Sequence, residues 1–294
     1  LTVGSAPFEL PATLTMPRAA GEGPVPVVVL VHGSGPNDRD GTVGVKKPLR
    51  DLAWGLASRG VAVLRYEKRT RVHAARMDLA NPTIEEETIA DALAALQLVR
   101  TQPELDAERV FVLGHSLGAM VAPEIAVRDG QLAGVIMMAA GARPLAESMV
   151  HQLDHVAKQP ENQVPQAAAQ IAQLRAAAER IASKQAPPDD RSMGVPASYF
   201  YDLNVRAAPT RALEVDAPML ILQGERDYQV TMDDFAIWKR TLEGRNDVVL
   251  RSYPGLDHLF VSGDAPSTPR ETMLAPGHVA QEVIEDVVEL VKGE

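Results

Sequence analysis

The chain has 294 residues, a formal net charge of −10 and no cysteine, and 46% of its residues are hydrophobic. This length and apolar fraction are typical of one large soluble α/β domain, with or without an insertion. The negative charge argues against nucleic acid as a partner, and the missing cysteines exclude disulfides, thiolate metal sites and cysteine nucleophiles.

The N-terminal region predicts neither a targeting signal nor a membrane span. Residues 1–17 lack a basic start and an unbroken apolar stretch, so no signal peptide is visible, although a leader upstream of Leu1 is compatible with the same pattern. No apolar run in the chain approaches the roughly 20 residues that a spanning helix needs. We therefore predict a cytoplasmic protein. Residues 8–17 alternate in polarity and predict an antiparallel edge strand.

Short buried strands alternate with longer helical segments along most of the chain. Six runs are almost wholly apolar, as expected for strands covered on both faces; they lie at 25–33, 60–66, 109–115, 133–141, 217–224 and 247–255. The intervening segments predict helices at about 48–59, 83–101, 117–128, 231–243 and 277–291. This alternation predicts an α/β fold with a mostly parallel, doubly wound sheet.

Residues 143–213 interrupt the alternation because they contain no buried strand. Residues 166–185 are rich in strong helix formers, and three consecutive aromatics follow at 199–201. One interpretation is an insertion that simply packs on the core. The other, which we favour, is a helical cap over the carboxyl edge of the sheet, inserted into a core of 1–142 and 214–294.

The stretch VLGHSLGAM, residues 112–120, contains a serine with a glycine two residues to either side. It joins a predicted buried strand to a predicted helix. Side chains at Gly114 and Gly118 would collide with neighbouring backbone in a sharp turn that exposes the Ser116 hydroxyl. The pattern therefore predicts Ser116 as a nucleophile. The Leu117 N–H and the N-terminus of the helix are positioned to stabilise negative charge beside it.

Two further strand ends carry an acid and a base. Asp227 follows the strand that ends near residue 224, and His258 follows the last strand. A carboxylate at the first position can orient a histidine at the second, and histidine is the usual general base near neutral pH. Asp233, Asp234 and Glu225 are nearby alternatives to Asp227. The chain order serine, aspartate, histidine is that of the α/β-hydrolase fold.

Stabilising the oxyanion of an acyl-transfer reaction requires a second N–H donor. The glycine-rich loop VHGSGPNDRDG, residues 31–41, follows an early strand and lets backbone approach the substrate. The N–H of Ser34 is the predicted donor, with that of Gly35 as the alternative.

Several of these segments together resemble a known family. The stretches HGSGPNDRDG, KPLRDLAWGLASRGVAVLRYEKRT, GHSLG and GERDYQV are similar to those of bacterial EstD-type serine carboxylesterases, relatives of the dienelactone-hydrolase-like group. The similarity covers most of residues 25–141 and 214–260 and is thin across 143–213. The segment RYEKRT departs from the more usual R-Y-D-x-R-G at Glu67 and Thr70.

The resemblance implies a capped, cofactor-free esterase that acts on a small-molecule ester with a short acyl chain. We predict a small pocket lined by Met193, Tyr199, Phe200 and Phe260. A serine peptidase of the prolyl-oligopeptidase kind or a thioesterase is the alternative, since both use the same triad. A hydrolase-fold binding protein without catalysis is disfavoured because all required groups are present. Dehalogenase and epoxide-hydrolase activities are also disfavoured, because those enzymes have a carboxylate nucleophile at the position of Ser116.

Other motifs are weaker. His151 and His155 are spaced for one helix face, but no third ligand is visible, so we predict no metal site. The acidic run 85–87 opens a predicted helix, where it favours the dipole. We expect structural ion pairs near the site entrance among Arg39, Asp40 and Lys47, with a substrate contact as the alternative. The glycine-containing stretch 41–47 does not have the residue spacing of a phosphate-binding loop, so we predict no such loop there. The oligomeric state cannot be read from the sequence.

Overall fold

The computed structural model describes residues 1–18, 23–264 and 267–293. Within these ranges eight strands form one sheet in the order β1-β2-β4-β3-β5-β6-β7-β8. The strands are β1 (Thr2–Val3), β2 (Leu10–Thr15), β3 (Val25–Val31), β4 (Ala62–Tyr66), β5 (Leu105–His115), β6 (Gly134–Met138), β7 (Met219–Gly224) and β8 (Val248–Tyr253). All six predicted buried strands are present, and each predicted range overlaps the observed one.

The six strands β3 to β8 run parallel, which confirms the predicted doubly wound sheet. The N-terminal strand β2 pairs antiparallel with β4, as predicted from its alternating pattern. It is not the edge of the sheet, however, because β1 pairs with its outer side. Two residues are too few for a periodic pattern to reveal such a strand.

Ten helices are described. They are α1 (Pro48–Ala57), α2 (Arg69–Val72), α3 (Ala90–Arg100), α4 (Leu117–Asp129), α5 (Leu145–Ala157), α6 (Pro165–Ala182), α7 (Ala197–Arg206), α8 (Met232–Thr241), α9 (Pro269–Leu274) and α10 (Gln281–Lys292). A π-helical turn, Glu85–Ile89, leads directly into α3, so the single helix predicted over 83–101 has two parts. None of the described helices is long and apolar enough to cross a membrane.

Two apolar cores lie on opposite faces of the sheet. Along β3, Val27, Val29 and Val31 face the core that α3 and α4 cover. Val28 and Leu30 face the other core, which α1 and α10 cover. Both faces of the strand are therefore buried, and this explains why its sequence is continuously apolar rather than alternating. Each of these side chains contributes about 1.5–3 kcal/mol by leaving water.

Residues 143–213, here called the β6–β7 segment, connect two neighbouring parallel strands. The described structure there is helical, with α5, α6, α7 and two short 3₁₀ turns. Helix α5 packs against α6, while α7 buries Phe200 and Leu203 in the core on the α4 side. Because α6 buries only Ala177, Ala178 and Ile181, most of that helix is at the surface.

Candidate active site

Ser116 occupies a strained turn between β5 and α4. Its φ of 54° is unusual for a residue with a side chain. Such a conformation costs of the order of 1–3 kcal/mol and persists only where its surroundings enforce it. A Cβ at Gly114 would lie 2.3 Å from the carbonyl oxygen of Gly118, and one at Gly118 would lie 2.4 Å from that of Val31. The two glycines are therefore required by close backbone packing, as the sequence pattern indicates.

Asp227 and His258 are brought into direct contact by the ends of β7 and β8. The Oδ2 atom of Asp227 lies 2.6 Å from Nδ1 of His258, and both side chains are buried. The other carboxylate oxygen, Oδ1, accepts backbone N–H bonds from Gln229 at 2.7 Å and Val230 at 3.0 Å. The turn after β7 thus fixes the carboxylate and leaves Oδ2 for the imidazole.

The protonation of His258 is set by two opposing effects. Burial lowers the pKa of its imidazole, but the Asp227 carboxylate raises it more, and the net direction is upward. With Asp227 ionised, Nδ1 carries the proton that this contact shares. The second ring nitrogen, Nε2, is then the basic one in the neutral imidazole. This arrangement suits a general base whose charged form is stabilised.

His115 supports the loop that carries His258. Its Nε2 lies 2.8 Å from the backbone carbonyl oxygen of His258, and the two ring centroids are 4.9 Å apart. Desolvation, with a smaller contribution from His258, lowers the pKa of His115 to about 4, so this ring is neutral near pH 7. A neutral ring with Nε2 protonated can donate to that carbonyl. No short motif in the sequence indicates this contact.

Two of the alternatives to Asp227, Asp234 and Glu225, have other partners. The carboxylate of Asp234 is fully buried and binds the guanidinium of Arg143 at 2.5 Å. It also forms a capping box with Thr231 at the start of α8. Glu225 accepts a hydrogen bond from the Ser252 hydroxyl at 2.8 Å. Asp234 therefore joins α8 to the beginning of the β6–β7 segment.

The glycine-rich loop after β3 lies beside the nucleophile. A Cβ at Gly33 would be only 3.3 Å from Cβ of Ser116. The side-chain amide of Asn37 contacts three successive carbonyl oxygens of this loop, those of Gly33 at 3.1 Å, Ser34 at 2.8 Å and Gly35 at 3.1 Å. The loop is thus held in a compact turn with its backbone close to Ser116.

A buried polar network of Lys68, Glu87 and Tyr199 contacts the same loop. Lys68, whose side chain is 2% exposed, places Nζ 2.8 Å from the carbonyl oxygen of Gly33 and 2.5 Å from Oε1 of Glu87. The phenol of Tyr199 donates to the other oxygen of Glu87 at 2.6 Å. Burial lowers the pKa of Lys68, and the Glu87 carboxylate opposes that shift. Sequence reasoning missed this network, since it gave the acidic run only a dipole role.

These elements surround a cavity of about 610 Å³. Ser116 and His258 both line it, as do Ser34, Gly35 and Leu117 of the predicted oxyanion site. Much of the wall is apolar, and Met193, Tyr199 and Phe200 are part of it.

Phe260 is not part of that wall, and its predicted role is wrong. Its side chain is fully buried in the core that α1 and α10 cover, where its ring packs edge-to-face on Tyr253 at 6.1 Å. Leu259 lines the cavity instead. Phe260 has a left-handed backbone conformation with a φ of 59°. Its side chain lies in the core on the α1 and α10 face of the sheet.

The charged residues around the loop form ion pairs, which confirms that prediction. Arg39 binds Glu67 at 2.8 Å, and Lys47 binds Asp40 at 2.9 Å. Arg65 also contacts the Asp40 carboxylate. The departure from the usual family pattern at Glu67 thus supplies a partner for Arg39.

Comparison with known proteins places these features in a wider context. A model of the alpha/beta hydrolase family matches residues 28–273. Esterase EstD of Thermotoga maritima is 45% identical over 278 residues, which are 95% of this chain and 64% of that protein. The chain thus spans less than two thirds of the length of this curated relative.

Solved structures with low sequence identity have a similar fold. Est1E from Butyrivibrio proteoclasticus is 16% identical, with a TM-score of 0.62 and coverage of 100% of this chain and 99% of that one. Proline iminopeptidase from Mycobacterium smegmatis is 18% identical, with a TM-score of 0.60 and coverage of 100% and 97%. At these identities the likeness concerns the fold alone.

Proposed function

Since the chain belongs to the alpha/beta hydrolase family, we propose that it is a carboxylesterase with Ser116, Asp227 and His258 as its catalytic triad. The observation that carries the proposal is the 2.6 Å contact between Asp227 and His258 at a cavity that the strained Ser116 turn also lines. The 45% identity to Esterase EstD supports the same reaction class. The sequence pattern alone predicts the same three residues.

In the first half of the proposed reaction, Nε2 of His258 accepts the proton of the Ser116 hydroxyl as its oxygen attacks the ester carbonyl carbon. The C=O π electrons move onto oxygen and form a tetrahedral oxyanion. The imidazolium, stabilised by Asp227, then gives its proton to the leaving alcohol oxygen. The products of this half are an acyl-enzyme on Ser116 and a free alcohol.

Two backbone amides are proposed to stabilise the oxyanion. One is the N–H of Leu117, the first residue of α4, where the helix dipole adds favourable potential. The other is the N–H of Ser34, with that of Gly35 as the alternative. Both residues line the cavity beside Ser116.

Deacylation uses the same groups with water in place of the alcohol. His258 takes a proton from water as the water oxygen attacks the acyl carbon. Collapse of the second tetrahedral intermediate breaks the bond to Ser116, whose oxygen recovers the proton from the imidazolium. The acid leaves and the free enzyme is restored.

We propose the β6–β7 segment, residues 143–213, as a cap on a core of 1–142 and 214–294. Support comes from Met193, Tyr199 and Phe200, which all belong to this segment and contribute to the cavity wall. The mostly apolar wall fits the acyl part of a small ester. Esters that carry acetyl to butyryl groups are the proposed substrates.

The Ser116→Ala variant tests the proposal directly. We expect loss of p-nitrophenyl acetate hydrolysis with an unchanged circular dichroism spectrum, and labelling of the wild type alone by a fluorophosphonate probe. Full activity in the variant would refute the assignment of Ser116. An unlabelled, inactive wild type would indicate a binding protein instead.

A substrate panel tests the specificity. Among p-nitrophenyl esters from acetyl to decanoyl, the highest kcat/KM is expected at four carbons or fewer, and a maximum at decanoyl would contradict the proposed substrate class. Parallel assays with an acyl-CoA and an aminoacyl-proline amide separate the esterase from the thioesterase and peptidase alternatives.

A further inference from the structure

The carbonyl group of Gly33 is held by two side-chain donors. Lys68 Nζ lies 2.8 Å from its oxygen and Asn37 Nδ2 lies 3.1 Å from it. The backbone N–H of Lys68 also donates to the carbonyl oxygen of Asn37 at 3.1 Å. Lys68 therefore grips the turn after β3 at both of its ends, with its backbone at one end and its ammonium at the other.

Holding this carbonyl fixes the direction of an amide. The peptide bond between Gly33 and Ser34 is trans, and in a trans peptide the C=O and N–H groups point in opposite directions within one plane. As the oxygen of Gly33 is directed toward the buried ammonium of Lys68, the N–H of Ser34 is directed away from it. Ser34 lines the cavity, whereas Lys68 is buried and does not line it.

The ammonium also acts through its charge. Lys68 is 2% exposed and its partner Glu87 is 12% exposed by side chain, so water screens this pair weakly. A cation at hydrogen-bond distance from a carbonyl oxygen polarises the peptide and makes its N–H a stronger donor, since hydrogen bonds in a chain reinforce one another. The same contact that orients the Ser34 amide thus increases its affinity for negative charge.

We propose that Lys68 is a positioning residue that aims and polarises the Ser34 N–H toward the oxyanion. This role rests on the proposed function. Glu87 holds the ammonium in place, and the Tyr199 phenol holds Glu87, so the network links the oxyanion site to α7 of the β6–β7 segment. Correct seating of that helix is then coupled to the donor strength of the oxyanion site.

The test compares two inhibitors that differ only in whether they form an oxyanion. The Ser116 oxygen adds to the carbonyl carbon of an alkyl trifluoromethyl ketone as His258 takes the hydroxyl proton, and the C=O π electrons move onto oxygen to give a hemiketal oxyanion. The corresponding alcohol has no carbonyl group and cannot be attacked. In Lys68→Met we expect the Ki of the ketone to rise about 100-fold, the order of effect found when one oxyanion donor is lost. The Ki of the alcohol is expected to stay within about twofold, because ground-state packing is retained.

Lys46→Met is the matched control. Lys46 is also 2% exposed, and its ammonium donates to two backbone carbonyls, those of Glu271 at 3.0 Å and Thr272 at 3.1 Å. Its loss removes a buried ammonium that contacts α9 rather than the carbonyl oxygen of Gly33. We expect both inhibitors to change by the same factor in this variant, so that their Ki ratio equals that of the wild type.

Glu87→Gln and Tyr199→Phe test the rest of the network and remain informative should Lys68→Met fail to fold. Each is expected to raise the ketone-to-alcohol Ki ratio, with a smaller effect of about threefold to tenfold for Tyr199→Phe, which removes one hydrogen bond to a charged group. An unchanged ratio in both variants, or an equal change for both inhibitors in Lys68→Met, would overturn the positioning role. A wild type without esterase turnover would instead refute the proposed function itself.

Discussion

Gly118 offers a quantitative test of the packing that creates the Ser116 turn. In Gly118→Ala, the new methyl carbon would lie 2.4 Å from the carbonyl oxygen of Val31 and 2.6 Å from that of His32. Carbon–oxygen contacts in proteins are normally about 3.3 Å or longer. Both oxygens belong to backbone at the end of β3, so no side-chain rotation can relieve the overlap of about 0.9 Å. Helix α4 and the turn after β3 must move apart by a similar distance.

Two magnitudes follow from that displacement. Overpacking of this kind typically costs about 1–3 kcal/mol of stability. Activity should suffer further, because a misplacement of about 1 Å between a nucleophile and the groups around it can cost about 100-fold in rate. Ser116 precedes α4 on one side of the widened contact, and the Ser34 amide belongs to the turn after β3 on the other side. The distance between the hydroxyl and this amide therefore changes. We therefore expect kcat for p-nitrophenyl acetate to fall about 100-fold.

Urea unfolding and steady-state kinetics measure the two effects. Gly255→Ala is the matched control, since a Cβ at Gly255 meets no atom within 4 Å and its φ is not positive. Its unfolding free energy should remain within about 0.5 kcal/mol of the wild type. Wild-type stability and kcat in Gly118→Ala would show that the close approach to Val31 does not constrain the turn.

Four further predictions concern the acid groups and the pH dependence. Asp227→Asn should lower kcat near neutral pH by about 10⁴-fold with little change in KM, because the amide no longer favours the required tautomer; a loss below tenfold would argue against Asp227 as the orienting acid. Protonation of His258 removes the general base, so kcat/KM should fall as the pH drops. Because the pKa of His258 is raised, half-maximal activity is expected above pH ~6.5. The ion pair with Asp227 correspondingly stabilises the fold below pH ~6.5, and this contribution disappears as the pH rises through the raised pKa of His258. Half-maximal kcat/KM below pH ~6.5 would contradict the upward shift. Asp234→Ala should lower the unfolding free energy by about 3–5 kcal/mol, since it leaves Arg143 without its buried partner, whereas the exposed Asp233→Ala should change it by less than about 0.5 kcal/mol.

The sheet could be predicted because its strands are buried on both faces. Their continuous apolar runs are visible without any knowledge of tertiary contacts, and β3, β7 and β8 differ from the predicted ranges by only a few residues. The strand β1 could not be found this way, since it is two residues long and is defined by its pairing with β2. The short helix α9 was missed for a related reason, as six residues carry little periodicity.

The same distinction applies to the candidate site. Ser116, Asp227 and His258 follow apolar strands, so a rule about strand ends suffices to suggest them. Lys68 and Glu87 are brought to Gly33 only by folding, and neither belongs to a short motif that names its partner. Phe260 shows the opposite failure. It is predicted as a cavity residue, but its side chain lies in the core that α1 and α10 cover.

The π-helical turn at 85–89 has a consequence for how this region can vary in length. A π turn contains one residue more than an α-helical turn, and it places Glu85 against Arg128 while Glu87 reaches Lys68. Removing a single residue would restore a regular helix and rotate one of these two carboxylates by about 100° away from its partner. Sequence variants of this protein should therefore tolerate substitutions between Glu85 and Glu87 far more readily than insertions or deletions there.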